Sequence, residues 1–318
     1  MSFVDMPIEA LKEYKGINPR PDDFDSYWEE ALEELKNTDP NVQLEKSDFQ
    51  APFAECYDLF FTGVGGARVY AKYIKPALPK DAHPALLHFH GYSGHSPEWS
   101  DLLGYAASGF SVLAMDVRGQ GGRSEDNAQV LGNTLNGHII RGVQNPKDLF
   151  FRNVFLDTAQ LVRVAQELPE VDAERIVATG SSQGGALTLA CGALAPTVKK
   201  LASNYPFLSD YKRVWEIDAQ NSSYNEIHNY FRRFDPRHER AEEFFTTLGY
   251  IDIQNLANRI KGEVLMGVGL MDNSCPPSTQ FAAYNKITSK KTYVLYPDFA
   301  HEQLPGQPDK IYQFLLDC

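Results

Sequence analysis

Cysteine is scarce and scattered in this chain. The four residues, Cys56, Cys191, Cys275 and Cys318, form no Cys-x-x-Cys pair and have no histidine cluster beside them, which excludes a disulfide framework and the common zinc modules. They read as reduced thiols, with Cys191 a buried small hydrophobe among Leu189, Ala190 and Ala193 and Cys275 lacking an adjacent base in the sequence. Long apolar runs are missing: none approaches the roughly 18 residues of a membrane span. The start, MSFVDMPIEALKEYKG, lacks the basic stretch and continuous apolar core of a secretory signal, so a cytoplasmic protein with no membrane partner is expected. Basic residues are in deficit, since 30 Lys and Arg against 42 Asp and Glu leave a formal charge of -12. That balance speaks against a nucleic-acid partner, whose binding rests on clustered cations. No G-x-x-x-x-G-K is present, and the glycines of GVGGAR and RGQGGR do not fit a dinucleotide site. Repeats and low-complexity linkers are absent too, so a single domain over residues 1–318 is expected.

What is present is an alternation of periods. Residues 22–36, DDFDSYWEEALEELK, put Phe24, Trp28, Ala31 and Leu35 on one helical face. ECYDLFFT at 55–62 and ARVYAKYI at 67–74, joined by Gly63 to Gly66, read as a β-hairpin. Short apolar strands follow at 85–90 and 110–117, with a helix between them. The pattern continues through a helix near 149–168, a strand at 175–180, a helix, and a strand at 201–207. Residues 209–248 are aromatic and charged with no strand-like segment, and read as a helical insertion. Strands at 262–270 and 291–297 then alternate with helices near 277–287 and 306–316. Such alternation predicts an α/β fold, a mostly parallel sheet with helices on both faces.

Residues 175–190, RIVATGSSQGGALTLA, carry the chemistry. A strand, the turn Gly180-Ser181-Ser182-Gln183-Gly184 and a helix make a nucleophile elbow, with glycines allowing a tight turn and Ser182 at its apex. Ser181, the last strand-like position, is expected to face neighbouring backbone or pack. In enzymes built on this elbow an acid and then a histidine follow, each on a loop after a later strand. Asp272 stands just after the strand GEVLMGVGL and His301 just after KTYVLYP. Asp298 is a rival acid, but it shares the loop of His301. Serine, histidine and aspartate in that order form a nucleophile, a base and an acid that orients the base. An oxyanion hole needs two donors. The Gln183 amide, next after the nucleophile, is the first, and the Tyr92 amide in the loop His90-Gly91-Tyr92-Ser93-Gly94 is the best placed second.

Other polar residues have plainer readings. His88 and His90 share a strand face, but no convergent third and fourth ligand accompanies them, so packing or support of the adjacent loop is expected and a metal is not. His228 and His238 read as surface residues of the insertion.

Taken together, Arg118-Gly119-Gln120, the Gly180 to Gly184 elbow and His301-Glu302 resemble carbohydrate esterase family seven, the acetyl xylan esterase and cephalosporin C deacetylase group of α/β-hydrolases. The likeness extends through HGYSG, the GLMD stretch at Asp272 and the PPSTQFAAYN helix. It implies deacetylation of small acetylated sugars and of cephalosporin C, with Ser182, Asp272 and His301 catalytic, the Tyr92 and Gln183 amides as oxyanion donors, no cofactor, and a homo-hexamer. Arg118-Gly119-Gln120 is expected to shape its loop, with Arg118 paired to a carboxylate. Two alternatives stand beside this: a serine peptidase of the prolyl-oligopeptidase type, although few residues precede the hydrolase pattern for a propeller, and a non-catalytic binding module on the same fold.

Overall fold

The structure, a computed structural model, describes residues 4–78, 81–130, 137–217 and 224–318. Its strands are β1 (Gln43–Lys46), β2 (Ala54–Thr62), β3 (Arg68–Pro76), β4 (His83–Phe89), β5 (Ser111–Met115), β6 (Val171–Ser181), β7 (Lys200–Asn204), β8 (Glu263–Gly269) and β9 (Lys291–Tyr296). Its helices are α1 (Ile8–Glu13), α2 (Phe24–Lys36), α3 (Trp99–Ala107), α4 (Phe150–Glu167), α5 (Gln183–Leu194), α6 (Tyr211–Glu216), α7 (Asn225–Phe234), α8 (Ala241–Gly249), α9 (Ile253–Leu256), α10 (Pro277–Lys286) and α11 (Gln307–Leu316).

The strands form one sheet in the order β1-β2-β3-β5-β4-β6-β7-β8-β9. Pairings from β1 to β5 are antiparallel, and all those from β5 through β9 are parallel. The parallel half is apolar on both faces, as strands covered by helices must be. Leu87 and Phe89 of β4 join one apolar cluster with α2, α4, α5 and the insertion. Leu86, their neighbour, points into the other with α3 and α11. This is the α/β-hydrolase fold expected from the sequence.

The structure differs from the sequence reading at the margins. Strand β1, QLEK, was invisible to apolar patterning because all four residues are exposed on the sheet edge. Strand β7 stops at Asn204, short of 207, because Tyr205 takes a positive φ of 32° and turns the chain out of the sheet. The insertion is helical as expected, as α6, α7 and α8, with residues 218–223 outside the described residues. His238 is exposed, while His228 is half-buried.

Two devices bring distant segments to the elbow side of the sheet. Trp28 of α2 is wholly buried, stacks on Phe155 of α4 and donates its indole N–H to the Tyr250 carbonyl at 3.0 Å. Arg118, on the loop after β5, is equally enclosed. Its Nε and Nη2 each lie 2.6 Å from an oxygen of Asp157 in α4, and both Nη atoms donate to the Val64 carbonyl in the hairpin turn. A bidentate pair at this depth fixes orientation as well as charge. Gly63 is needed beside it, since a Cβ there would fall 2.2 Å from Asp157 Oδ1.

Replacing Arg118 alone leaves the Asp157 carboxylate buried without its cation, whereas replacing both removes the unpaired charge. Arg118→Met is therefore expected to destabilise by about 3–5 kcal/mol, and Arg118→Met with Asp157→Leu by clearly less, read from urea unfolding midpoints.

Candidate active site

Ser182 sits where β6 passes into α5, at φ 59° and ψ -121°. A non-glycine residue in that region stores roughly 1–3 kcal/mol of strain, so its surroundings must hold it there. Gly180 and Gly184 do so by close approach. A Cβ on Gly184 would lie 2.0 Å from the Phe89 carbonyl, and one on Gly180 would lie 2.5 Å from Gly184 itself. The Ser182 amide donates to the Asn204 carbonyl at 3.0 Å, and the Ser182 carbonyl accepts from Phe207 at 3.1 Å. Ser181, the rival, turns aside: its hydroxyl accepts from Asn204 Nδ2 at 3.3 Å.

The fold brings the expected acid and base to this serine. His301 Nε2 is 3.0 Å from Ser182 Oγ, and His301 Nδ1 is 2.8 Å from Asp272 Oδ2. That arrangement sets the imidazole to donate from Nδ1 and accept at Nε2. Parallel pairing of β8 with β9 places both loops at one sheet edge, and the Leu270 and Met271 amides donate to the Tyr296 and Phe299 carbonyls across them. Asp272 is fully buried; its Oδ1 accepts the Ser274 and Cys275 amides, both at 2.8 Å. Gln280 of α10 closes the same turn by donating to the Cys275 carbonyl at 2.6 Å. Behind His301 lies the edge of the Tyr205 ring, 4.8 Å between centroids. Glu302 accepts the Ala300 amide at 3.0 Å and shapes the histidine turn. Asp298 is exposed on that turn.

The oxyanion candidates meet on the other side of the elbow. The Gln183 amide opens α5, among the N–H groups that a helix leaves unpartnered. Tyr92 lies in the loop after β4, and its amide has no acceptor among the described residues. Gln183 Nε2 reaches toward the carbonyls of His90 and Gly91 at 3.4 and 3.5 Å. Gln120, expected only to shape its own loop, reaches the elbow: its amide pairs with the Gln183 side chain at 2.7 Å and accepts the Ser93 amide at 3.0 Å. Arg118-Gly119-Gln120 thus pins the turn after β5 at one end and the elbow at the other. His90 supports the same region, with Nε2 accepting the Val117 amide after β5 and Nδ1 donating to the Gly91 carbonyl, so both its nitrogens are engaged by backbone.

Cys275 is better placed than its sequence neighbours suggest. Its sulfur, an Asp272 oxygen and a His301 nitrogen lie within 4.8 Å of one another, a clustering made only by folding. Yet burial, with the Asp272 charge beside it, pushes the thiol well above its ordinary value, and the facing atoms of Asp272 and His301 are bonded to each other. This donor set suits the hydrogen-bonded relay rather than an ion. The relay can take a proton from Ser182 and aim its oxygen at a carbonyl, which is acyl-transfer chemistry.

Comparison with known proteins gives a consistent picture. A family model described as acetyl xylan esterase (AXE1) matches residues 1–318. Acetyl xylan esterase 1 of a Thermoanaerobacterium species is 59% identical, with a TM-score of 0.97 over 98% of this chain and 99% of that one. An acetyl xylan esterase of a Paenibacillus species is 36% identical, with a TM-score of 0.93 over 98% of this chain and 99% of its own. The acetyl esterase Axe7A of Xylanibacter ruminicola is 28% identical over 300 residues, which cover 92% of this chain and 65% of that protein's length.

Cys275 is expected to resist alkylation. Iodoacetamide at pH 8 leaves it unmodified in the native protein and labels it after unfolding in urea, read by peptide mass spectrometry. Rapid native labelling would show a thiolate there instead.

Proposed function

Because this chain belongs to the acetyl xylan esterase family, we propose that it removes acetyl groups from small acetylated sugars by a Ser182, His301, Asp272 acyl-enzyme mechanism. The observation that carries the reading is the continuous contact from Asp272 through His301 to Ser182, at 2.8 and 3.0 Å.

Ser182 Oγ attacks the acetyl carbonyl as His301 Nε2 takes its proton, while the Asp272 carboxylate stabilises the imidazolium and keeps it oriented. Negative charge moves to the carbonyl oxygen, which the Tyr92 and Gln183 amides receive. Collapse breaks the ester bond, and His301 returns the proton to the departing sugar oxygen. Water then gives its proton to His301 as it attacks the acetyl-enzyme, the bond from Ser182 Oγ to the acyl carbon breaks, and His301 passes that proton to Ser182 Oγ as acetate leaves. No metal or cofactor enters these steps. Each oxyanion donor is worth about 10²–10³ in kcat.

The finer proposals follow the family resemblance. They are xylo-oligosaccharide acetates and the cephalosporin C acetoxymethyl group as substrates, residues 1–318 as one domain, and a homo-hexamer as the assembly. A cytoplasmic setting is supported by four free cysteines, as expected where thiols stay reduced. No helix among the described residues is long and apolar enough to cross a membrane.

Ser182→Ala is expected to lose acetyl-ester hydrolysis to a trace, with at least about 10⁴-fold lower kcat and unchanged folding. Activity persisting above a trace in contaminant-free protein refutes the mechanism. Across acetate, butyrate and hexanoate esters of one alcohol, kcat/KM is expected to fall steadily, and aminoacyl amides are expected to be inert. A hexanoate optimum or amide cleavage overturns the deacetylase reading.

A further inference from the structure

The insertion delivers one acidic side chain to the site that the relay does not use. Glu226, in the first turn of α7, is only 4% exposed. Its Oε1 accepts the Tyr92 hydroxyl at 2.8 Å and the His138 amide at 3.2 Å, and its Oε2 accepts the Ile140 amide at 3.0 Å. The His138 amide also reaches the Tyr92 hydroxyl itself, at 2.7 Å. Gly137 makes this approach possible, since a Cβ there would lie 2.3 Å from Glu226 Oε1. Among the described residues every partner of this carboxylate is a neutral donor. A buried carboxylate without a cation is costly; an apolar residue would suffice if the position served only to pack α7.

The Tyr92 ring is held as well as its hydroxyl. It meets His138 edge-on at 5.5 Å and Phe207 at 5.3 Å, and Phe207 donates its amide to the Ser182 carbonyl. The loop carrying the Tyr92 amide is held at its backbone by Gln183, which reaches the His90 and Gly91 carbonyls, and by Gln120, which grips the Ser93 amide; Glu226 alone of these residues grips the far tip of the Tyr92 side chain. With ring and hydroxyl fixed, the Cα of Tyr92 and its amide have little freedom left. We propose that Glu226 is a positioning residue for the reaction, setting the Tyr92 amide at the oxyanion through the Tyr92 hydroxyl. The insertion is then part of the catalytic apparatus rather than a cover laid over it.

This rests on the Tyr92 amide being an oxyanion donor, and the experiment separates the two assignments. The full chain is compared with Glu226→Ala, Glu226→Gln, Tyr92→Phe, the Glu226→Ala/Tyr92→Phe double variant and Tyr92→Pro, which removes the amide N–H. The readouts are kcat and KM for 4-nitrophenyl acetate, with kcat scaled to sulfonyl-fluoride-titratable sites, and inhibition by methylboronic acid. Boron bound to Ser182 Oγ places a hydroxyl in the oxyanion position. Displacing a donor is expected to cost less than deleting it, so Glu226→Ala and Tyr92→Phe lose about 10- to 100-fold in kcat. KM moves by less than about threefold, and boronate affinity falls in step with kcat. The double variant is no worse than the poorer single, because both act through one contact. Glu226→Gln keeps its carbonyl as acceptor for the Tyr92 hydroxyl but sets its NH2 against the Ile140 amide, so it is expected to lose less kcat than Glu226→Ala, with boronate affinity falling in step; it carries the test if the alanine variant does not fold, a roughly tenfold Gln loss in kcat with intact boronate binding counting against the proposal. Additive losses, or a raised KM with kcat and boronate affinity unchanged, overturn the Glu226 assignment. If Tyr92→Pro loses both turnover and boronate affinity while Glu226→Ala loses neither, only that assignment falls. If Tyr92→Pro also keeps both, the oxyanion reading itself fails.

Discussion

Everything at this site depends on how closely α5 can approach β4. Ser182 is held at a positive φ by the turn between β6 and α5, and the turn exists only because Gly180 and Gly184 let the Phe89 carbonyl come within contact of the helix start. Side chains there would run into that carbonyl and into the helix start itself. The strain at Ser182 is thus balanced by packing of the most buried strands, with Phe89, Val177 and Ala202 all inaccessible to solvent. Core tightness and the strained backbone at Ser182 are here one physical fact.

Around that fixed point the partners arrive by different means. Asp272 and His301 come from adjacent parallel strands, whose ends lie at the same sheet edge by geometry alone. Their mutual placement needs further work from the β8 and β9 loops, which bind each other through backbone amides, and from Gln280 of α10. Asp272 is fully buried and accepts two amide hydrogens besides its bond to the imidazole, so its oxygens are satisfied within the turn. A carboxylate kept dry and hydrogen-bonded acts on the imidazole through a low dielectric, where its influence is strongest.

The other side of the elbow is assembled from the loops that follow β4 and β5. Gln120, Gln183 and the 91–94 loop form a small amide network, while Arg118 next door locks the same turn to α4 and the hairpin. Glu226 and Tyr92 connect this network to the insertion, whose aromatic residues turn inward: Tyr224 packs on Phe207 at 4.4 Å, and Phe231 and Phe244 pack on each other at 5.0 Å. The aromatic and charged composition of that segment is the signature of a layer bonded to the loops around the elbow.

The strand, turn and helix at Ser182, and the order in which Asp272 and His301 follow, were legible in the sequence because they follow local rules: glycine spacing, period and the position of a residue just past a strand. Arg118 could be expected to find a carboxylate, but which one was not readable, since Asp157 belongs to a helix whose own periodicity gives no hint of it. Strand β1 left no trace, having no buried face. The contacts that Cys275, Gln120 and Glu226 make around the elbow were likewise not readable. Their partners lie far along the chain, and the side chains have no pattern until the sheet brings the loops together. The sequence by itself determined the α/β framework and the strand ends at which Ser182, Asp272 and His301 stand. Only the tertiary structure decided which buried groups hold those atoms at bonding distance, because long-range contacts depend on how the layers pack, and no local spacing encodes that.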